Sequence, residues 1–281
     1  AQLAALEPKP AAIICLGVIF QGQTSHAQHV GWGVTHALAR YAGDALHCRV
    51  CGGATLGAFF ARSVSPQNFN AAGGAAKAAA VPGGGGAIEN RGTVALTACT
   101  LAGNTAAVGG GGIEHAAGVL TLTNCTMTGN SAQWGGAIDG DGSSTIRLYS
   151  CTVSGNHASD KGGGIEETTG TLLLENSIVA GNTATNSGPD LKASSINTQA
   201  GVNLLSSSAG LGGSFGGIIG SPDLAALAAN GGRTRTMLPR AGSPAIDAGG
   251  ATALILDQRG LTRVVGAAVD IGTRHAVPGR D

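Results

Sequence analysis

The sequence predicts an all-β protein, a right-handed parallel β-helix with a short N-terminal capping helix, and three observations carry that reading. The pattern of residues 84–182 repeats four times, and Asn104, Asn130, Asn156 and Asn182 end the units at intervals of 26. Within each unit the apolar residues alternate as strands require, with no 3.6-residue period. Glycine supplies 49 of the 281 residues and aromatics only 3%, which leaves a narrow core lined by small aliphatic side chains. A fixed period of this length is the signature of a solenoid, whose units bury their apolar faces only by stacking on neighbours.

Residues 1–83 read as an N-terminal cap and first irregular coils. The apolar run AAIICLGVIF at 11–20 stands behind Lys9, and Ser25-His26-Ala27 offers a small-x-small cleavage site. Residues 11–27 therefore read equally well as a signal-like segment or a first strand, and the run is too short to span a bilayer. In residues 35–42, Leu38 and Tyr41 share one helical face before Gly43-Asp44, which fits a helix covering the open end of the first coil. Cys48 and Cys51 form a lone C-x-x-C without the second ligand pair of a zinc site or a thioredoxin-like context.

Residues 84–182 form four regular coils. Their inward columns are Ile88/Ile113/Ile138/Ile165, Val94/Leu120/Ile146/Leu172, Leu96/Leu122/Leu148/Leu174, Cys99/Cys125/Cys151/Ser177 and Leu101/Met127/Val153/Val179. Five columns separated by Gly- and Asn-containing turns fit three short strands per coil, with rungs about 4.8 Å apart. The cysteines recur with the period, so they are expected as inward, unpaired thiols, and the asparagines as a hydrogen-bonded ladder in the turns. Residues 183–281, punctuated by Pro189, Pro222, Pro239 and Pro244, read as irregular coils and a C-terminal cap. There Asp247, Asp257, Arg259, Arg263 and Asp270 are expected to seal the last coil as an ionic network.

The units read G-G-G-I, L-T-L, C-T, S-G-N, and they resemble the repeats of bacterial pectate-lyase-like surface proteins and polymorphic outer-membrane proteins. The tail carries Gly242-Ser243-Pro244-Ala245-Ile246-Asp247-Ala248-Gly249, then Asp257-Gln258-Arg259-Gly260, Arg263 and Asp270-Ile271-Gly272. It resembles the end of the choice-of-anchor Q domain family. The resemblance covers roughly residues 84–275. It implies a right-handed β-helix exported by bacteria, secreted or held at the cell surface, and implies little about activity.

Sixteen Lys and Arg balance sixteen Asp and Glu, so no overall field attracts nucleic acid or anionic lipid. Neither a nucleic-acid partner nor a membrane span is expected, and the chain reads as a monomer. The residue after each inward Ile points outward, giving the column Glu89, Glu114, Asp139, Glu166. Carboxylates stacked this closely raise one another's pKa and titrate as a set. Neighbouring rungs approach the separation of about 5–5.5 Å used by retaining glycosidases, and alternate rungs the inverting one of about 6.5–9.5 Å.

Four residues before each Ile stand Gly84, Gly109, Trp134 and Lys161, which places Trp134 and Lys161 side by side near the acids. An aromatic face stacks on a sugar ring, and a lysine neutralises a uronate carboxylate or serves as a lyase base. His115 and Glu167 sit at turn positions from which they can reach over the ladder. The expected function is a polysaccharide hydrolase or lyase with Glu114, Asp139 and Glu166 as acid/base groups. Trp134, Lys161, His115 and Glu89 are the expected substrate-binding groups. No cofactor is required, although the oxygen-rich ladder could hold calcium.

Two other readings come from the same residues. The ladder is also what a solvated edge of a non-catalytic surface, adhesion or carbohydrate-binding module would carry. The outward threonines Thr100, Thr126 and Thr152, with Thr128 and Ser154, form a hydroxyl strip of the kind that binds ice. No Ser-His-Asp order, Walker loop or dinucleotide fingerprint is present.

Overall fold

The computed structural model describes Arg49–Val50 and residues 85–142, 144–194, 196–198 and 201–273. By its contacts the chain divides into Ala1–Leu46 and His47–Asp281, and all described residues belong to the second unit. The expected capping helix, the signal-like segment and the C-x-x-C lie outside the described residues. Among the described residues there is no helix, hence none long and apolar enough to cross a membrane.

The described residues form a parallel β-solenoid whose coils stack into four sheets, of six, six, five and three strands. The ladder sheet pairs Ile88–Asn90, Ile113–His115, Ile138–Gly140, Ile165–Glu167 and Leu191–Ala193 in parallel register. The long sheet stacks Thr93–Thr97, Val119–Thr123, Thr145–Tyr149 and Thr171–Glu175. Arg49–Val50 closes one edge of it antiparallel, against Thr97 and Leu96. The threonine sheet carries Thr100–Ala102, Thr126–Thr128, Thr152–Val153, Ile178–Val179, Leu204–Leu205 and Ile218–Ile219. The wall sheet, Ser131–Trp134, His157–Lys161 and Thr183–Ala184, is a fourth strand per coil where three were expected. Its inward residues are small (Ala132 and Ala158 are buried), so it left no large apolar column in the sequence.

The five expected columns form the core, nearly every member fully buried. At about 1.5–3 kcal/mol for each buried Leu or Ile, this stacking is the main source of stability. The cysteine expectation holds for Cys125 and Cys151, which are free and buried. Cys99, however, is disulfide-bonded.

The Asn ladder is internal. Asn104, Asn130 and Asn156 each donate Nδ2 to the next asparagine's Oδ1 at 2.8–2.9 Å. Each acceptor also takes a backbone N–H at 3.0 Å. The run ends on Asp190, whose Oδ1 accepts both Asn182 groups at 3.1 Å. Buried turn backbone must find partners, and here one side chain per rung supplies them.

The tail departs from expectation in where it lies. Instead of sealing the last coil, it folds back along the outer face of the threonine sheet. Gln258 bonds the Cys99 carbonyl and the Thr100 and Thr126 hydroxyls, and Thr273 bonds Thr126 and Thr152. Farther along, Ala245 and Ile271 pack on Ile178 and Leu204. Thr100, Thr126 and Thr152 of the strip offered as an ice-binding face therefore lie buried beneath the tail, while Thr128 stays half-buried.

Of the five expected ionic residues, Asp257 and Arg259 form a buried ion pair at 2.6 Å. Asp270 accepts the Asp247 N–H at 2.8 Å. Arg263, fully buried, donates to Asn124 Oδ1 and, at 3.0 Å, to the Gly272 carbonyl. Asn124 and Asn176 stand at left-handed corners (φ 53 and 46). That conformation suits asparagine and turns both amides outward to hold the tail.

Candidate functional site

The ladder sheet and the wall sheet meet at a sharp corner, and the repeated Gly-Gly explains it. Gly110, Gly135, Gly162 and Gly188 have φ of 59, 56, 66 and 66. A Cβ at Gly110 or Gly135 would stand 2.1 or 2.2 Å from the carbonyl oxygen of Ile113 or Ile138. No other residue turns the chain this tightly. Four residues after each such glycine comes the outward position of the ladder sheet, and the paired register is Glu89, Glu114, Asp139, Glu166. All four expected carboxylates thus share one face on consecutive rungs.

The register runs one rung farther than the sequence reading took it. Glu166 pairs with Lys192, so the ladder changes sign at its C-terminal end. At the other end Arg91 pairs with Glu89 at 3.2 Å. Asp141, exposed, adds a fifth carboxylate beside Glu114.

Across the corner, Gly109, Trp134, Lys161 and Ser187 are in register, so Trp134 and Lys161 are neighbours as expected. The Trp134 indole N–H donates to Asp160 Oδ2 at 2.8 Å, and Asn186 bonds the other oxygen of Asp160. These contacts fix the half-buried ring. Gly109 is buried where the wall meets the ladder. A Cβ there would stand 2.2 Å from both Asp139 Oδ2 and Glu114 Oε2, so the two carboxyls converge over Gly109 and fill the space a side chain would need.

Asp139 is 3% exposed and hydrogen-bonds the Glu166 carboxyl. Burial first, then the negative charges of Glu114 and Glu166, push its pKa up to about 9. Burial and the Asp141 carboxylate raise Glu114 to about 7. Glu166 is raised by burial, but the Asp139 hydrogen bond and Lys161 oppose the rise. Asp139 therefore keeps its proton at neutral pH, in the hydrogen bond with Glu166. Glu114 Oε2 is buried without a hydrogen-bond partner.

His115 is not brought to this site. It alternates inward from Glu114, is fully buried, and its Nδ1 lies 2.8 Å from Asn90 Nδ2. Glu167 is likewise internal, held by Ser144 and by the Gly170 N–H at 2.6 Å. Both follow from strand alternation, which the turn assignment had overridden.

Sequence reasoning missed Lys192, Asp160, Asp141 and the role of Gly109. Lys192 was findable, standing 26 residues after Glu166 like the core columns. Among the described residues no group of three His, Cys, Asp or Glu is arranged to hold a metal ion, so the ladder has no coordination cage for calcium.

No protein-family profile, no curated protein and no solved structure matches the chain.

Proposed function

We propose that the corner is the acid–base centre of a glycoside hydrolase acting on polysaccharide, carried by an exported bacterial β-helix. The observation that carries this reading is the buried Asp139 carboxyl, its pKa pushed up to about 9, hydrogen-bonded to Glu166 on the next rung. Glycoside cleavage needs one carboxylic acid to protonate the leaving oxygen and one carboxylate to attack or to activate water. Raising one pKa above the other is how an environment separates these roles.

Asp139 donates its proton to the glycosidic oxygen as the C1–O bond breaks, while Glu166 attacks C1. Water, deprotonated by Asp139, then displaces Glu166. The two residues stand on adjacent rungs about 4.8 Å apart, so a sugar that replaces their mutual hydrogen bond parts the carboxyls toward the retaining separation, and the product keeps its anomeric configuration. Trp134 supplies a ring face beside the pair. Glu114 and Glu89 complete the acidic side, and Lys161 opposes the rise in the Glu166 pKa, favouring its charged form. The export assignment rests on the repeat and tail motifs.

The test is reducing-end release from acidic and neutral glycans by wild type, Asp139→Asn and Glu166→Gln. Turnover that falls at least a hundredfold in both variants, with retained configuration, supports the reading. Release of unsaturated products overturns it in favour of a lyase. No release from any glycan overturns it in favour of a non-catalytic surface or carbohydrate-binding module.

A further inference from the structure

A surface segment normally exposes its charges and buries its aliphatic side chains, and residues 251–268 of the tail do the reverse. Their charged residues are Asp257, Arg259 and Arg263. Asp257 and Arg263 are buried, and the Arg259 side chain, paired with Asp257, is 4% exposed. The outer surface is left to Ile255, Leu256, Leu261, Val264 and Val265, which are 45% to 77% exposed, with alanine, glycine and one threonine between them. Among the described residues the other exposed large apolar side chains are Val108 and Ile219. The exposed aliphatics are thus gathered on one charge-free face.

That face lies lengthwise on the solenoid, because the tail is pinned at successive corners. The Thr234 hydroxyl bonds the Ala98 carbonyl on the first coil, and Asn124 on the second bonds the Leu256 carbonyl. On the fourth coil Asn176 accepts the Gly250 N–H at 2.8 Å. Three rungs, about 14 Å, separate the outer two anchors. An exposed charge stands beyond each end, and the two differ in sign. Arg233 follows Gly232, where a Cβ would stand 2.7 Å from the Arg259 Cα. At the far end the Asp247 carboxylate accepts the Ala268 N–H at 3.1 Å. Among the described residues neither Arg233 nor Asp247 belongs to an ion pair.

We infer that this face is the interface of a homodimer, two copies packed tail to tail about a two-fold axis perpendicular to the solenoid, with each copy's Arg233 beside the partner subunit's Asp247. A two-fold of this kind reverses the second tail, so the cationic end of one meets the anionic end of the other at both rims. The exposed residues of the face offer on the order of 700 Å² per copy, close to the roughly 800 Å² that each partner gives a standard interface. A typical monomer leaves at most about 300–600 Å² in one apolar patch. A lipid surface calls for a basic rim, and this rim is half acidic. A glycan calls for placed hydrogen-bonding groups, and this face is aliphatic. The inference departs from the monomer expected from the sequence. It is independent of the hydrolytic reading, whose carboxyls lie on another sheet.

The test is sedimentation velocity of the full chain over a hundredfold concentration series at physiological salt. Wild type should reach the mass of two chains and no more. Ile255→Lys, which would bury an ammonium without a partner in each copy, should stay at one chain throughout while keeping the wild-type circular dichroism spectrum. Arg233→Glu sets like charges together at both rims and should weaken association about tenfold. Adding Asp247→Asn, which keeps the acceptor for Ala268, should recover most of that loss.

Wild type at the mass of one chain at every concentration overturns the inference, and vesicle flotation then shows whether the face meets lipid instead. Assembly that continues past two chains overturns the two-fold, since only a closed interface stops there. Dimers that persist equally in Ile255→Lys lie on another face and overturn it as well. Unchanged association in Arg233→Glu overturns the antiparallel arrangement.

Discussion

Replacing Asp139 by Asn keeps the shape and substitutes a permanent N–H donor for the shared proton, so its effect on stability should depend on pH. In the folded chain Asp139 holds its proton up to about pH 9, whereas the ordinary value is 3.8. A folded pKa above the unfolded one gives stability that is fully present below pH 3.8 and is lost as pH rises toward 9. The limiting slope for one isolated group is about 1.4 kcal/mol per pH unit. Glu114 and Glu166 share the titration, so we expect about 3 kcal/mol of loss between pH 4 and pH 8, a little over half of that limit. Asp139→Asn should abolish this loss. It should match wild type at pH 4 and melt on the order of 8 °C higher at pH 8, read by circular dichroism at both pH values. A gain of equal size at pH 4 and pH 8, or a loss at pH 8, would refute the shared-proton argument.

The interior makes its own predictions. Burial lowers the His115 pKa, so its contribution to stability is present above about 6.5 and lost as pH falls below. His115→Asn, copying Asn90 in the same column, should therefore lose less stability than wild type between pH 7 and pH 4 in urea titrations. Asn156→Ala strands the Asn130 amide donors and should cost about 2–4 kcal/mol in the same assay. Arg263→Met removes the bonds to Asn124 and Gly272 and should cost about 3 kcal/mol. It should also raise protease sensitivity between residues 230 and 273, leaving ladder titrations unchanged. In the native protein Cys125 and Cys151 should resist alkylation for hours, and labelling within minutes would contradict their inward register.

The solenoid was legible because its cause is periodic. One residue type per rung writes its column directly into the chain, and the ladder Glu89, Glu114, Asp139, Glu166 was read in the register the structure has. What failed was non-periodic. Gln258 and Thr273 cover Thr100, Thr126 and Thr152 through contacts more than 100 residues apart in sequence, which no local pattern encodes. One clue existed: the outward column continues as Ile178 and Leu204, and two apolar residues facing outward announce a cover. His115 was misplaced because proximity to Glu114 in sequence was taken for proximity in space, although successive strand residues face opposite sides. Gly109 could not be read at all, since a glycine records only that a side chain is absent, not which oxygens occupy the space.

The claim on which the account turns is that Asp139 keeps its proton through neutral pH and loses it only above the titration of Glu114. Carbon-13 titration of the side-chain carboxyls from pH 3 to pH 10 reads this directly, with Asp139→Asn and Glu166→Gln for assignment. The account predicts Glu114 near 7, Asp139 near 9 and a fall in the Asp139 midpoint when Glu166 is neutralised. Four ladder carboxyls all titrating near 4, with no change on mutating a neighbour, would contradict it.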